Sequence, residues 1–214
     1  GFGQHWDGRY IRVWVGRNSD QEELDTDWVM IHEMHHAAFP DLHRRHQWMQ
    51  EGLSTYLEPV SRVQAGQYDT DRMWRHFYRR MPYGLPGWGD KGLDVTRTWG
   101  RLYWGGTMYW FLADVAIRKQ TNNDKSLHDA LLGIQAAGGD GRVDWSTAKV
   151  VKIGDEATGT TVLTDLYEQL ADAPGEPDLA AIFTDLGVVE VGGEIQLLDD
   201  APLVEIRRSI TQPG

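Results

Sequence analysis

The side chains best suited to chemistry lie in one short stretch, HEMHH at positions 32–36. On a helix, His32 and His36 are four residues apart and share one face, so both imidazoles can bind a single metal ion. Glu33 lies about 100° further around such a helix, where it can act as a general base on a water molecule without being a ligand. His35 points elsewhere and is expected not to be a ligand. The flanking residues WVMI and AAF are apolar, and ionisable groups on an apolar helix need a specific role.

A hydrolytic zinc site needs a third protein ligand and one position open to water. One scheme requires a histidine where Leu42 stands, and His43 is one residue out of register. A second scheme uses Asp41, which follows the helix end very closely. A third uses Glu51, in the stretch WMQEGLSTYLE. A loop at residues 40–46 is long enough to fold this second helix back against the first.

Taken together, the two stretches resemble the gluzincin metallopeptidases, most closely the membrane-alanyl and glycyl aminopeptidase families. The second helix of those families carries W-x-x-E-G-x-x-x-Y-x-E, and Trp48, Glu51, Gly52, Tyr56 and Glu58 all match. The resemblance implies that Glu51 is the third ligand, that the metal is Zn²⁺ and that the substrate is a peptide or protein. It also implies that Glu58 orients a ligand histidine; the alternative is a carboxylate at the helix end that faces solvent.

The resemblance extends loosely over most of the chain. A Y-x-K-G motif of those families aligns with YWGG, so that Tyr103 and Gly106 match while Gly105 replaces the lysine. The family's tyrosine donates a hydrogen bond to the oxyanion formed during hydrolysis. Tyr103 is therefore the second expected catalytic residue, after Glu33. Tyr109 is a weaker candidate for the same role, and a tyrosine packed in the core is the alternative for Tyr103.

One family feature is not matched. Aminopeptidases of this group carry a G-x-M-E-N strand whose glutamate binds the free amine of the substrate. The opening GFGQHW can be aligned with it, but Gln4 then replaces the glutamate and Gly3 the methionine. A neutral amide does not pair with an ammonium group as a carboxylate does, so exo- and endopeptidase modes both stay open. A catalytically inactive, zincin-like peptide-binding module is the alternative function, and a scaffold without metal is a third.

Hydrophobic periodicity predicts the elements that position these residues. A strand is predicted at 9–15, before the histidine helix. The predicted helices span residues 26–38 (capped by Asp25 or Thr26), 46–60 (stopped near Pro59), 70–81, a long segment from Gly105 or Gly106, 126–138 (capped by Ser126), 162–171 and 178–187. Short β elements are predicted at 148–153 and within 192–210. The glycine-rich segment 82–100, with Trp88 and Trp99, is predicted to be a loop that walls the cleft.

The expected fold is α+β and mainly helical. Residues 1–120 are expected to form a thermolysin-like zincin catalytic domain with a small N-terminal sheet. Residues 121–214 are expected to form a helical subdomain with a short terminal β element.

The composition limits the kinds of molecule that the protein is expected to bind. The chain of 214 residues has a net charge of −11, which argues against nucleic acid, and no cysteine, so a metal has to be held by histidine and carboxylate. No apolar run approaches the roughly 20 residues of a membrane helix. The chain opens on GFGQHWDG without a signal peptide, as expected of a mature form or of a fragment that lacks an upstream domain. An extracytoplasmic location, periplasmic or secreted, is slightly favoured.

Overall fold

The computed structural model describes the backbone of residues 2–6 and 10–212 and the side chains of residues 11–212. The fold is α+β and mainly helical, as predicted. The helices are α1 (Gln21–Thr26), α2 (Val29–Ala37), α3 (Gln47–Gln64), α4 (Thr70–Arg80), α5 (Gly106–Gln120), α6 (Leu127–Ala136), α7 (Thr147–Thr158), α8 (Val162–Leu170), α9 (Leu179–Asp185) and α10 (Val204–Thr211). Short 3₁₀ helices occupy Arg44–His46 and Met81–Gly84, and a π-helix occupies Gly100–Gly105.

The described strands pair in three small sheets. Strands β1 (Phe2–Trp6) and β2 (Tyr10–Trp14) form an antiparallel hairpin that packs against α2, so the predicted N-terminal strand and small sheet are confirmed. Strands β3 (Asp41–Leu42) and β4 (Asp144–Trp145) are parallel. Strands β5 (Val188–Val191) and β6 (Glu194–Leu197) form a second antiparallel hairpin. No helix in the described part of the chain is both long and apolar enough to cross a membrane.

The single helix predicted at residues 26–38 is wrong in its first turn. Helix α1 ends at Thr26, and α2 begins at Val29 with Trp28 as its N-cap residue. Between them Asp27 is extended, and its carboxylate accepts a hydrogen bond from the Val29 amide at 2.8 Å. The carboxylate thus supplies the acceptor that a preceding helical turn would have provided. Neither Asp25 nor Thr26 caps the histidine helix.

Two other predictions about secondary structure are wrong. Helix α3 continues past Pro59 to Gln64. Proline removes one hydrogen-bond donor, and the helix tolerates this because Pro59 and Val60 are buried in the core. The segment predicted as a strand at 148–153 belongs to α7, where Ser146 caps the Lys149 amide. Its buried positions follow helical spacing, which a window of six residues does not reveal.

The other predicted helices, at 70–81, 126–138, 162–171 and 178–187, are confirmed as α4, α6, α8 and α9, within one or two residues at their ends. Ser126 forms the predicted cap as part of a capping box with Asp129. The predicted closing β element is β6, but the segment after it forms α10. The buried Arg207 of α10 donates to the carbonyl oxygens of Leu186, Gly187 and Leu198. The proposed domain boundary at residue 120 stays a prediction.

Helices α3 and α5 pack with unusually close backbones. A Cβ atom added to Gly52 would overlap the backbone of Gly106, and one added to Gly106 would overlap the carbonyl oxygen of Trp48. The contact is reinforced by Trp110, whose indole N–H donates to the Met49 carbonyl oxygen at 2.8 Å. Because the π-helix runs directly into α5, this contact sets the distance between the π-helix and α3.

Candidate metal centre

Three of the predicted side chains converge on one point. The Nε2 atoms of His32 and His36 lie 3.2 Å apart, and each faces the Glu51 carboxylate oxygen Oε2, at 3.3 and 3.5 Å respectively. Within the described part of the chain, this is the group of histidines and carboxylates whose atoms are placed to hold a metal ion. Both histidines are buried, and the Glu51 side chain is only 15% exposed.

The spacing of the three atoms fits a tetrahedral ion. Zinc binds nitrogen and carboxylate oxygen at about 2.0–2.1 Å, which places neighbouring ligand atoms of a tetrahedron about 3.3 Å apart. The distances of 3.2, 3.3 and 3.5 Å match that edge length. The donor set, two imidazoles and a carboxylate, suits zinc.

The hairpin of α2 and α3 brings these residues together. The turn between the helices contains β3 and the 3₁₀ helix at Arg44–His46. Gln50 of α3 holds it in place, donating to the Asp41 carboxylate at 3.1 Å and accepting from the Leu42 amide at 3.4 Å. His43 caps the 3₁₀ helix, where its ring accepts from the Arg45 amide. Asp41 and His43, the rival candidates for the third ligand, therefore lie outside the cluster.

Glu51 is held as an anion. Burial by itself would raise its pKa, but hydrogen bonds and charge interactions with His32 and His36 outweigh burial and bring the pKa far below its usual range. The second carboxylate oxygen, Oε1, accepts from the Gln47 side-chain amide at 3.3 Å. The carboxylate is thus ionised and fixed in orientation, as a ligand must be.

Tyr103 is brought to the same site from the π-helix. Its pKa is raised to about 12, first by burial, then by the charge of Glu51 and a hydrogen bond with it, and finally by the charge of Glu33. Both carboxylates therefore lie near the phenol. Tyr109, the weaker candidate, is a fully buried core residue whose hydroxyl donates to the Leu163 carbonyl oxygen at 2.7 Å.

His35 and Glu58 lie beside the cluster. The His35 Nε2 atom is 3.2 Å from the Ser61 hydroxyl, and burial followed by the charges of the neighbouring histidines lowers its pKa to about 4. Glu58 pairs with Arg62 at 3.0 Å, and burial raises its pKa. The buried Nδ1 atom of His32 has no hydrogen-bond partner among the described residues. That Glu58 orients a ligand histidine stays a prediction.

That the loop with Trp88 and Trp99 walls the cleft stays a prediction. Trp99 packs beside Tyr103, with 5.9 Å between ring centroids, whereas Trp88 is fully exposed to solvent. The sequence interpretation missed Trp28, whose indole meets the His32 ring edge-on at 5.0 Å. Its only signal was its position four residues before His32. The side chain of Gln4, aligned with the family's amine anchor, lies outside the described residues.

A second missed residue is Asp94, from the loop before the π-helix. Its fully buried carboxylate accepts from the Trp48 indole and the Tyr167 hydroxyl at 2.7 and 2.8 Å, and it pairs with His46 and Arg45 at 2.7 and 3.2 Å. These bonds fix the first turn of α3, and so the helix that carries Glu51. An aspartate in a glycine-rich loop gives no local signal of such a role.

The sequence matches no protein-family model, and no curated protein matches it significantly. Function is therefore inferred from the site itself.

Proposed function

We propose that the protein is a zinc-dependent metallopeptidase of the gluzincin type, with a thermolysin-like zincin fold. The observation that carries the proposal is the convergence of His32, His36 and Glu51 at tetrahedral ligand spacing, with the Tyr103 hydroxyl beside Glu51. These four residues come from two helices and a π-helix, and their side-chain types are those that metal-assisted peptide hydrolysis needs. His32, His36 and Glu51 would hold the ion.

When bound, zinc lowers the pKa of coordinated water and polarises a carbonyl group. Glu33 is the proton carrier: it takes a proton from the attacking water and returns it to the leaving nitrogen. It stands next to His32 on α2, half-buried, and close enough to Tyr103 for its charge to raise the pKa of that phenol. A carboxylate in this position can exchange protons with groups in the centre.

Tyr103 supplies the hydrogen bond to the oxyanion. With a pKa of about 12, the phenol keeps its proton throughout the neutral range. The hydroxyl therefore acts as a donor, and it stabilises negative charge on the former carbonyl oxygen as the tetrahedral species forms. Thr107 helps to fix its position, because the threonine hydroxyl donates to the Tyr103 carbonyl oxygen at 2.8 Å.

The test is the Glu33→Gln variant assayed on a peptide library. Loss of the proton carrier is expected to slow hydrolysis by about 10²–10⁴-fold, while stoichiometric zinc is retained. Met34→Gln is the matched control, since it introduces the same side chain at the next position, where Met34 is 54% exposed. Wild-type activity should be abolished by a chelator and restored by zinc.

Hydrolysis by Glu33→Gln at the wild-type rate would refute this mechanism. A wild-type protein that holds zinc and binds peptides but cleaves none would be a peptide-binding module instead. A wild-type protein purified without stoichiometric metal, and unable to take up zinc, would refute the metal centre as well.

A further inference from the structure

Two large indoles beside the metal centre remain in contact with solvent. Trp28 is 50% exposed and Trp99 is 61% exposed. Each precedes a residue of the centre by four positions, Trp28 before His32 and Trp99 before Tyr103, and packs against that residue's ring at 5.0 and 5.9 Å. Two separate helices thus each expose an indole next to the centre. A packed core would have covered such large apolar rings.

We propose that Trp28 and Trp99 form two walls of the substrate cleft, one at His32 and one at Tyr103, and select peptides with a large apolar side chain on each side of the cleaved bond. This inference rests on the proposed peptidase function. Trp28 borders the centre at His32, whereas Trp99 reaches it through Tyr103, the phenol whose pKa the Glu51 charge raises. A peptide bond placed at the metal would therefore have one indole beside the His32 ligand and another beside Tyr103.

On its other side, away from the residues of the centre, Trp28 lines a cavity of about 740 Å³. That volume lies within the usual range of ligand sites, about 300–1,000 Å³, and it accommodates an aromatic side chain. Its apolar lining includes Trp14, Leu24, Trp28 and Met30, and its charged lining residues are Glu23 and Asp27.

The charged residues that line this cavity are unfavourable for acidic side chains of a substrate. No lysine, arginine or histidine is among the described residues that line the cavity. A glutamate or aspartate side chain of the substrate would lie against apolar surface and the carboxylates of Glu23 and Asp27, in a protein of net charge −11. An apolar side chain gains from stacking on the indole and from removal of its surface from water. The preferred residues are therefore large and uncharged, aromatic above all.

The first test measures kcat/KM for internally quenched peptides with Phe, Gly or Glu on either side of one bond. Phe is expected to exceed Gly and Glu on both sides. Trp28→Ala and Trp99→Ala should each reduce the Phe-to-Gly ratio by about 10-fold, and each on a different side of the bond. Trp88→Ala is the matched control, because Trp88 lies in the loop that leads to Trp99 but is fully exposed; it should leave both ratios unchanged.

The inference is overturned if Trp28→Ala and Trp99→Ala keep the wild-type ratios. Zinc content is measured in each variant, and Trp28→Leu, which keeps an apolar side chain against His32, is assayed alongside Trp28→Ala. A Trp28→Leu protein that lost its zinc would show that Trp28 supports a ligand and does not form a cleft wall.

A binding measurement separates this inference from the proposed function. Calorimetry on zinc-loaded Glu33→Gln protein compares the Kd of the Phe peptide with that of the Gly peptide, with and without Trp99→Ala. If the Phe peptide binds more tightly in a way that depends on Trp99, and the wild type cleaves neither peptide, the proposed cleft walls are supported and the proposed peptidase activity is refuted. Cleavage of both peptides with no preference in rate or in binding would support the peptidase activity and refute the cleft walls.

Discussion

Replacing Gly52 by alanine changes the free energy of unfolding through two contributions of opposite sign, helix propensity and steric overlap. Helix propensity alone predicts a gain, because alanine is favoured over glycine inside a helix by about 1 kcal/mol. The structure predicts a loss, because the new Cβ atom would overlap the backbone of Gly106. Backbone atoms on both sides cannot move independently, so α3 and α5 must separate by on the order of 1 Å to reach ordinary contact distance.

We expect the steric overlap to outweigh the gain in helix propensity. Overpacking of a core typically costs about 1–3 kcal/mol. The cost of pushing two backbones apart is expected to lie at or above the upper end of that range. Subtracting about 1 kcal/mol of helix propensity leaves a net loss of roughly 2 kcal/mol in the free energy of unfolding. Gly87→Ala is the matched control, because no atom lies within 4 Å of its added Cβ and its φ is not positive.

Urea denaturation of the metal-free proteins measures the stability difference without a contribution from zinc binding. The same displacement should move Tyr103 away from Glu51, and misplacement by about 1 Å costs as much as 10²-fold in rate. We therefore expect kcat/KM to fall in Gly52→Ala and not in Gly87→Ala. A Gly52→Ala protein as stable and as active as the wild type would refute the close packing of the two helices.

Three further predictions follow from the centre and its supports. Tyr103→Phe should lower kcat by about 10²–10³-fold while zinc stays bound, because only the hydrogen bond to the oxyanion is lost; steady-state kinetics with metal analysis checks this. His36→Ala should abolish stoichiometric zinc binding while His35→Ala retains it, as measured by metal titration; equal losses would contradict the assignment of ligands. Asp94→Asn should destabilise the protein by about 3 kcal/mol, because a buried amide cannot accept all the bonds that Trp48 and its neighbours donate; an unchanged urea midpoint would contradict that role.

The parts of the site that the sequence predicted are those encoded by short spacings. His32 and His36 are one helical turn apart, and Glu51 lies on the next helix, so a helical hairpin suffices to bring them together. The packing of Tyr103 against this hairpin was inferred only from a family resemblance. Its physical cause, the fit of Gly52 against Gly106, depends on residues far apart in the chain that no local pattern connects.

The features that were missed depend on tertiary contacts. Asp94 looks like any loop aspartate until Trp48 and Tyr167 meet it in the core. Pro59 predicts the end of a helix, yet core packing allows α3 to continue beyond it. The break at Asp27 depends on one side chain competing with a backbone carbonyl for the same amide, a balance too fine for propensity to decide.

All three proposed metal ligands come from residues 32–51, whereas Tyr103 joins them from the π-helix more than fifty residues later. Closing a short loop costs little chain entropy, and local contacts form early during folding. The hairpin of α2 and α3 can therefore capture its ion while the rest of the chain is still being organised. A refolding molecule would acquire its metal first and its ability to stabilise an oxyanion only when α5 docks.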